Sequence, residues 1–242
     1  MIVQANGIPH LVAEHGSGDP VLLLHGGLES STTWAAQIPA LAERFRVVTI
    51  DRRGHGGTPD PGPIDYPLMA DDTAAVLAAL GIERARLVGF SDGAIIGLLL
   101  ATGKPQLVER LVSIGGNSRP DGIEPWFARW LEKTTAESFP ARYREEHERL
   151  SPDGPGQWPA VFEKVKRLWA EEPWIADEEL AGIKAPTLVL AGDRDIVTPA
   201  HTVALARTIP DAQLGIVPGT THAVHEERPE VVNRLLLDFL AA

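Results

Sequence analysis

One stretch of the 242-residue chain combines residue types and spacing that describe a reactive group: Gly89-Phe90-Ser91-Asp92-Gly93. The apolar run Ala85 to Phe90 precedes it and a second run, Ala94 to Ala101, follows. A chain that passes from strand to helix within one residue holds that residue at strained φ/ψ, with its side chain projecting clear of the sheet. Glycines two before and two after Ser91 let strand and helix backbones approach. A serine hydroxyl is a poor nucleophile near neutral pH, so it needs a base within hydrogen-bond reach and a carboxylate to fix that base's tautomer. His222 and His225 follow the strand-like run Gln213 to Val217, and Asp193 and Asp195 follow the run Thr187 to Ala191. His25 and His55 also follow strand-like runs, and are expected to be loop histidines that bond backbone and shape their turns. His225 is expected at the start of the last helix, and His10, His15, His147 and His201 carry no contextual signal.

The elements that must position these groups alternate along the chain. Ile2 to Ala5 and Ile8 to Glu14 flank Asn6-Gly7, a hairpin signal. Val21 to Leu24, Arg46 to Ile50, Arg86 to Phe90 and Leu111 to Ile114 are continuous apolar runs, as expected of strands buried on both faces. Helical patterns over Trp34 to Arg44, Leu68 to Leu80 and Asp92 to Thr102 separate them. Strand, helix and strand in alternation predict a parallel sheet with right-handed crossovers, and reactive groups then gather at the carboxyl ends of the strands. From 118 to 182 the strand signal stops. Helical segments around Trp126 to Leu150 and Pro159 to Ala170 take its place, with five of the six tryptophans. This predicts a helical cap of residues 118–182 inserted into a core domain of 1–117 and 183–242. Most of those tryptophans are expected to glue the cap to the body, with Trp126 and Trp130 as candidate walls of a substrate pocket. Helix and strand then resume to the end, with a closing helix from about Pro229 to Leu240.

Composition narrows the functional classes. A hydrophobic fraction of 44% fits one globular α/β domain of this length. The formal charge of -11 argues against a nucleic-acid partner, which would need phosphate neutralised by Lys and Arg. The absence of cysteine excludes disulfides, thiol nucleophiles and cysteine metal sites. The amino terminus lacks the basic start and apolar core of a secretion signal, and Gly93 to Gly103 is shorter than the roughly 20 residues that span a bilayer. A cytoplasmic protein with no membrane partner is expected.

The chain resembles the α/β-hydrolase fold family along nearly its whole length. The resemblance is carried by His25-Gly26-Gly27, Asp51-Arg52-Arg53-Gly54-His55-Gly56, Gly89-Phe90-Ser91-Asp92-Gly93, Gly192-Asp193-Arg194-Asp195 and Gly219-Thr220-Thr221-His222. The order Ser, Asp, His along the chain is also that of the family. The resemblance implies a mostly parallel central sheet with helices on both faces and a small helical cap. It implies Ser91 as nucleophile, His222 as base and Asp195, rather than Asp193, as the acid; Asp193 is left to shape the turn. A rarer family variant places the acid after Ile114, where Asn117 stands and Asp121 is a distant substitute. An oxyanion hole is expected from the backbone N–H groups of Asp92 and Gly27, with Leu28 as Gly27's alternative and a candidate substrate contact.

The aspartate after the nucleophile has two readings. As a structural group it complements the helix dipole in the first turn. As a binding group it holds a substrate ammonium, since the Ser-Asp-Gly elbow is similar to that of the valacyclovir hydrolase group, whose members cleave α-amino-acid esters. The resemblance implies a cofactor-independent serine hydrolase, with no metal, acting on a small ester, thioester, lactone or amide. Perhydrolases and carbon-carbon bond hydrolases share its signature, and a binding or signalling protein on the same scaffold is the alternative from another class. Oligomeric state is not encoded in any motif.

Overall fold

The computed structural model describes residues 1–242. Strands β1 (Ile2–Ala5) and β2 (Ile8–His15) form an antiparallel hairpin. Asn6 and Gly7 turn it with φ of 47° and 80°, the two positive values a type I′ turn requires. β3 (Pro20–Leu24), β4 (Arg46–Ile50), β5 (Ala85–Phe90) and β6 (Val108–Ile114) follow, with helices α1 (Ile38–Ala42), α2 (Tyr66–Ala79) and α3 (Asp92–Gly103) between them. The expected helix from Trp34 to Arg44 is split. Ser30 caps a 3-10 turn over Ser31–Trp34, and Pro39 opens the short α1, where its missing N–H costs no helical bond.

Between β6 and β7 (Thr187–Gly192) the chain forms α4 (Pro125–Lys133), α5 (Ala141–Leu150), α6 (Trp158–Glu171) and α7 (Asp177–Ala181), and adds no strand to the sheet. α4 and α5 replace one expected segment, because Pro140 stands directly before Ala141 and ends any helix arriving from the amino-terminal side. α8 (Pro199–Thr208), β8 (Ala212–Val217), α9 (Val224–Glu227) and α10 (Pro229–Leu240) complete the chain. No helix is long and apolar enough to cross a membrane.

The sheet has eight strands in the order β1-β2-β4-β3-β5-β6-β7-β8, parallel throughout from β4 to β8. Leu24 sits opposite both Ile50 and Gly89, Phe90 opposite Ile114, and Ile114 opposite Leu190, so the strands end at nearly one level. The loops carrying His25, Asp51, Ser91, Gly115 and Asp193 therefore emerge together. Side chains alternate between two cores, as a pleat of period two demands. Leu22 and Leu24 join α2 and α3 on one face, while Val21 and Leu23 join Trp34, Leu41 and α10 on the other. Each fully buried leucine contributes about 1.5–3 kcal/mol over an exposed one, so these central strands anchor the frame on which the loops stand.

Candidate active site

The turn from β5 into α3 is as tight as its sequence requires. Ser91 takes φ 52° and ψ -117°, outside the ordinary wells, and its N–H donates to the Ile114 carbonyl at 2.8 Å. A Cβ on Gly89 would stand 2.2 Å from the Gly93 oxygen, and one on Gly93 would stand 2.1 Å from the Leu24 oxygen. Any larger residue at either position would push strand and helix apart.

His222 arrives from the loop after β8, 131 residues from Ser91 in sequence, and its Nε2 lies 2.9 Å from Ser91 Oγ. Its Nδ1 lies 2.6 Å from Asp195 Oδ1, which also accepts from the Val197 N–H at 3.0 Å. A carboxylate only accepts, so the proton of neutral His222 sits on Nδ1 and the Nε2 lone pair faces the serine. Burial opposes a charge on His222, but the charge and hydrogen bond of Asp195, with Glu29 and Asp92 further off, outweigh it and hold its pKa above the ordinary value. Asp193 turns elsewhere, accepting from the Gly219 and Thr220 N–H groups at 2.8 and 3.1 Å. His225 is fully buried between Trp34 and Phe90, with Nε2 2.9 Å from Thr33 Oγ1. His25 and His55 are buried loop histidines bonded to the Gly26 and Arg53 carbonyls.

The N–H groups of Gly27 and Asp92 have no acceptor in the protein, and both residues border the cavity that holds Ser91. Asp92 N–H belongs to the first turn of α3, where helical N–H groups are unpaired and the dipole favours negative charge. Leu28 does not share this site. With φ of 59° its side chain turns into the core, beside a separate small cavity lined by His55 and His147.

The Asp92 side chain is 1% exposed. Its Oδ1 accepts from Tyr66 Oη and Trp169 Nε1, both at 2.9 Å, while Oδ2 has no partner. Burial raises its pKa against the lowering effects of Arg52 and of these two hydrogen bonds. Neither Tyr66 nor Trp169 stands out in the sequence as a site residue. Tyr66 is the first residue of α2 and carries no motif, whereas Trp169 belongs to the same tryptophan-rich stretch as Trp126 and Trp130, which is the one signal the sequence holds for it.

Around these groups lies a cavity of about 500 Å³. Phe127, Trp130, Leu131, Phe139 and Trp169 from the segment between β6 and β7 line it together with Ser91, and Glu29, Glu132, Arg142, Lys166 and Glu172 add charged groups to its border. Phe139 is the hub of this wall, its ring centroid 5.8 Å from Trp130 and 6.2 Å from Trp169. Trp126, expected at the pocket, is 53% exposed and outside it. Phe127, Trp130 and Leu131 share one face of α4 by their spacing of three and four, and Trp126 falls about 100° away from Phe127. Trp158 is buried glue, its Nε1 donating to the Ala136 carbonyl at 2.8 Å.

The model of the family described as "Alpha/beta hydrolase family" matches residues 21–235. The chain belongs to the α/β-hydrolase family. This α/β-hydrolase is 34% identical over 253 residues to the Agrobacterium fabrum protein named "Putative carbamate hydrolase RutD", covering 93% of this chain and 96% of that one. It is similar in structure to a meta-cleavage product hydrolase, CumD of Pseudomonas fluorescens IP01, with a TM-score of 0.85 at 25% identity over 100% of this chain and 97% of that one. Est816, an N-acyl homoserine lactone degrading enzyme, matches at a TM-score of 0.81 and 29% identity, over 99% of this chain and 100% of that one. The chain is thus an enzyme of the hydrolase class within this family.

Proposed function

We propose that this α/β-hydrolase cleaves a small ester, thioester, lactone or amide through an acyl-Ser91 intermediate. The observation that carries the reading is the continuous hydrogen-bonded line from Asp195 Oδ1 through His222 to Ser91 Oγ, opening on an apolar cavity. Ser91 Oγ attacks the acyl carbon as His222 Nε2 takes its proton. The carbonyl oxygen becomes an oxyanion and accepts from the Gly27 and Asp92 N–H groups. Collapse breaks the bond to the leaving group, which takes the proton from His222. Water then gives a proton to His222 and attacks the acyl carbon, and a second collapse returns the proton to Ser91 and releases the acid. Asp195 keeps the imidazole oriented and stabilises its charged form.

In this reading residues 118–182 act as a cap whose aromatic side chains select the acyl or leaving group. The names of two relatives, a carbamate hydrolase and a lactone-degrading enzyme, support acyl-carbonyl chemistry without choosing a substrate. A narrower reading, an α-amino-acid ester, is favoured by Asp92 Oδ2, a buried carboxylate oxygen without a partner on a residue that borders the cavity.

Labelling with a fluorophosphonate tests the class. Wild type should form one adduct, at Ser91, and turn over short p-nitrophenyl esters; Ser91→Ala should do neither. An unlabelled wild type, or full turnover by Ser91→Ala, overturns the reading. The narrower reading predicts that kcat/KM for an α-amino-acid ester exceeds that for its deaminated analogue, and that Asp92→Asn removes the difference. Equal values in wild type reject it.

A further inference from the structure

Arg52 is buried, at 2% exposed, and its guanidinium meets no carboxylate. Buried arginines ordinarily pair with an acid, because an isolated charge in the interior is costly. Here the charge is turned on the loop after β3. Arg52 Nη2 donates to the carbonyl oxygens of His25 and Gly26, each at 2.7 Å. The Arg52 backbone N–H donates to His25 Nε2 at 3.2 Å, which leaves the imidazole proton on Nδ1, and that N–H donates to the same Gly26 oxygen at 2.7 Å. Burial and the neighbouring guanidinium both hold the His25 pKa well below its ordinary value, so the ring stays neutral and keeps this tautomer.

The Gly26 oxygen is therefore held by two buried donors. A trans peptide is planar and its C=O and N–H point in opposite directions, so holding the Gly26 oxygen toward Arg52 turns the Gly27 N–H away from it. That N–H is the one without an acceptor, on a residue that borders the cavity. A second relationship adds to this. Asp92 Oδ2 would stand 2.5 Å from a Cβ on Gly27, so a carboxylate lies against the loop where negative charge develops during acyl transfer. Arg52 is the leading group that lowers the Asp92 pKa, and the charge of Asp92 is the leading one that supports the Arg52 cation.

We propose that Arg52 is a positioning residue for the oxyanion hole. It orients the Gly26-Gly27 peptide so that the Gly27 N–H meets the tetrahedral oxyanion, and it offsets the charge of Asp92 next to that oxyanion. The proposal rests on the acyl-serine reading of the site. It extends that reading to a residue that touches neither substrate nor any of Ser91, His222 and Asp195.

The test uses Arg52→Met and Arg52→Lys, with enzyme concentrations set by fluorophosphonate titration of Ser91. Arg52→Met should lose roughly 10²–10³ in kcat, the effect of losing one oxyanion donor, with KM changed little. Its affinity for a phenylboronic acid, which forms a tetrahedral adduct on the serine, should fall by a similar factor. Arg52→Lys, which keeps a cationic donor, should recover part of both. A merely structural role would lower the titratable fraction and leave boronate affinity per active site unchanged, and that result overturns the proposal. Where near-UV circular dichroism finds Arg52→Met unfolded, Arg52→Gln, which carries no charge, takes its place: boronate affinity and kcat within threefold of wild type reject the role. A wild type that neither labels nor binds boronate overturns the acyl-serine reading and the Arg52 proposal together, whereas a competent wild type matched by both variants overturns the Arg52 proposal alone.

Discussion

Trp169 Nε1 donates to Asp92 Oδ1 at 2.9 Å, joining a helix inserted between β6 and β7 to the residue that follows Ser91. The same Trp169 ring would stand 2.6 Å from a Cβ on Gly27, so the indole packs against the Gly27 backbone while it bonds the Asp92 carboxylate. The inserted helices and the elbow are thus one packed unit. Trp169→Phe removes the donor and leaves Tyr66 alone on Asp92. A stability loss of about 1.5–3 kcal/mol is expected, as for a hydrogen bond to a charged group, with a lower kcat/KM. Urea unfolding of Trp169→Phe, Tyr66→Phe and the double variant measures it, and a non-additive double loss marks their shared acceptor.

The two aspartates after β7 separate by partner, Asp195 meeting His222 and Asp193 the Gly219 and Thr220 N–H groups. Asp195→Asn removes the anion that orients His222 and should lower kcat by about 10⁴ with KM preserved. Asp193→Asn weakens the turn over Gly219 and Thr220, and should cost about 1 kcal/mol of stability while leaving kcat near wild type. Steady-state kinetics on both variants check the assignment, and equal kinetic losses reject it.

The pH profile carries a sign. His222 must be neutral to accept the serine proton, and its pKa is held above 6.5, so kcat/KM should rise with pH through a midpoint above that value. The Glu29 carboxyl, raised to about 7 by burial and then by Glu226, borders the cavity and adds to the field that favours protonated His222. Glu29→Gln should move the midpoint to lower pH. A midpoint that stays in place or rises rejects the coupling.

Stability has a separate pH dependence. Burial first, then nearby cationic groups, depress the pKa of His55 and His225 to about 3. Between pH 6.5 and about 3 the unfolded chain binds protons at both sites while the folded chain does not, so stability is full above 6.5 and falls as pH drops through this window. Replacing His225 with Gln should flatten that fall in thermal melts taken from pH 7 to 4.

Behind the site, Arg53 holds Asp72 through Nε and Nη2 at 2.5 and 2.9 Å, and Asn6 Nδ2 adds a third donor at 2.6 Å. Both ionic side chains are at most 5% exposed. Asp72→Ala strands a buried guanidinium and should cost about 3–5 kcal/mol, read as a lower urea midpoint.

By itself the sequence determined the strands, the hairpin and the elbow, because each rests on forces acting within a few residues. Period-two and continuous apolar runs select strands, Asn6-Gly7 admits two positive φ values, and Gly89 and Gly93 leave the space that a strand-to-helix turn at Ser91 consumes. Resemblance to the family, rather than spacing, singled out His222 and Asp195 over His225 and Asp193, and in the fold Asp195 meets His222 and His222 meets Ser91. Tertiary structure decided what lies across long separations. Trp126 and Trp169 are both tryptophans of one inserted segment, and helix phase and packing put the second on Asp92, 77 residues away, and the first in solvent. Leu28 turned into the core because its backbone took a left-handed conformation. Arg52 reads in sequence as one of two adjacent basic residues. Only the packing of β3 beside β4 brings it under the Gly26 carbonyl, since the direction of a buried side chain is set by which neighbours surround it and not by its own position in the chain.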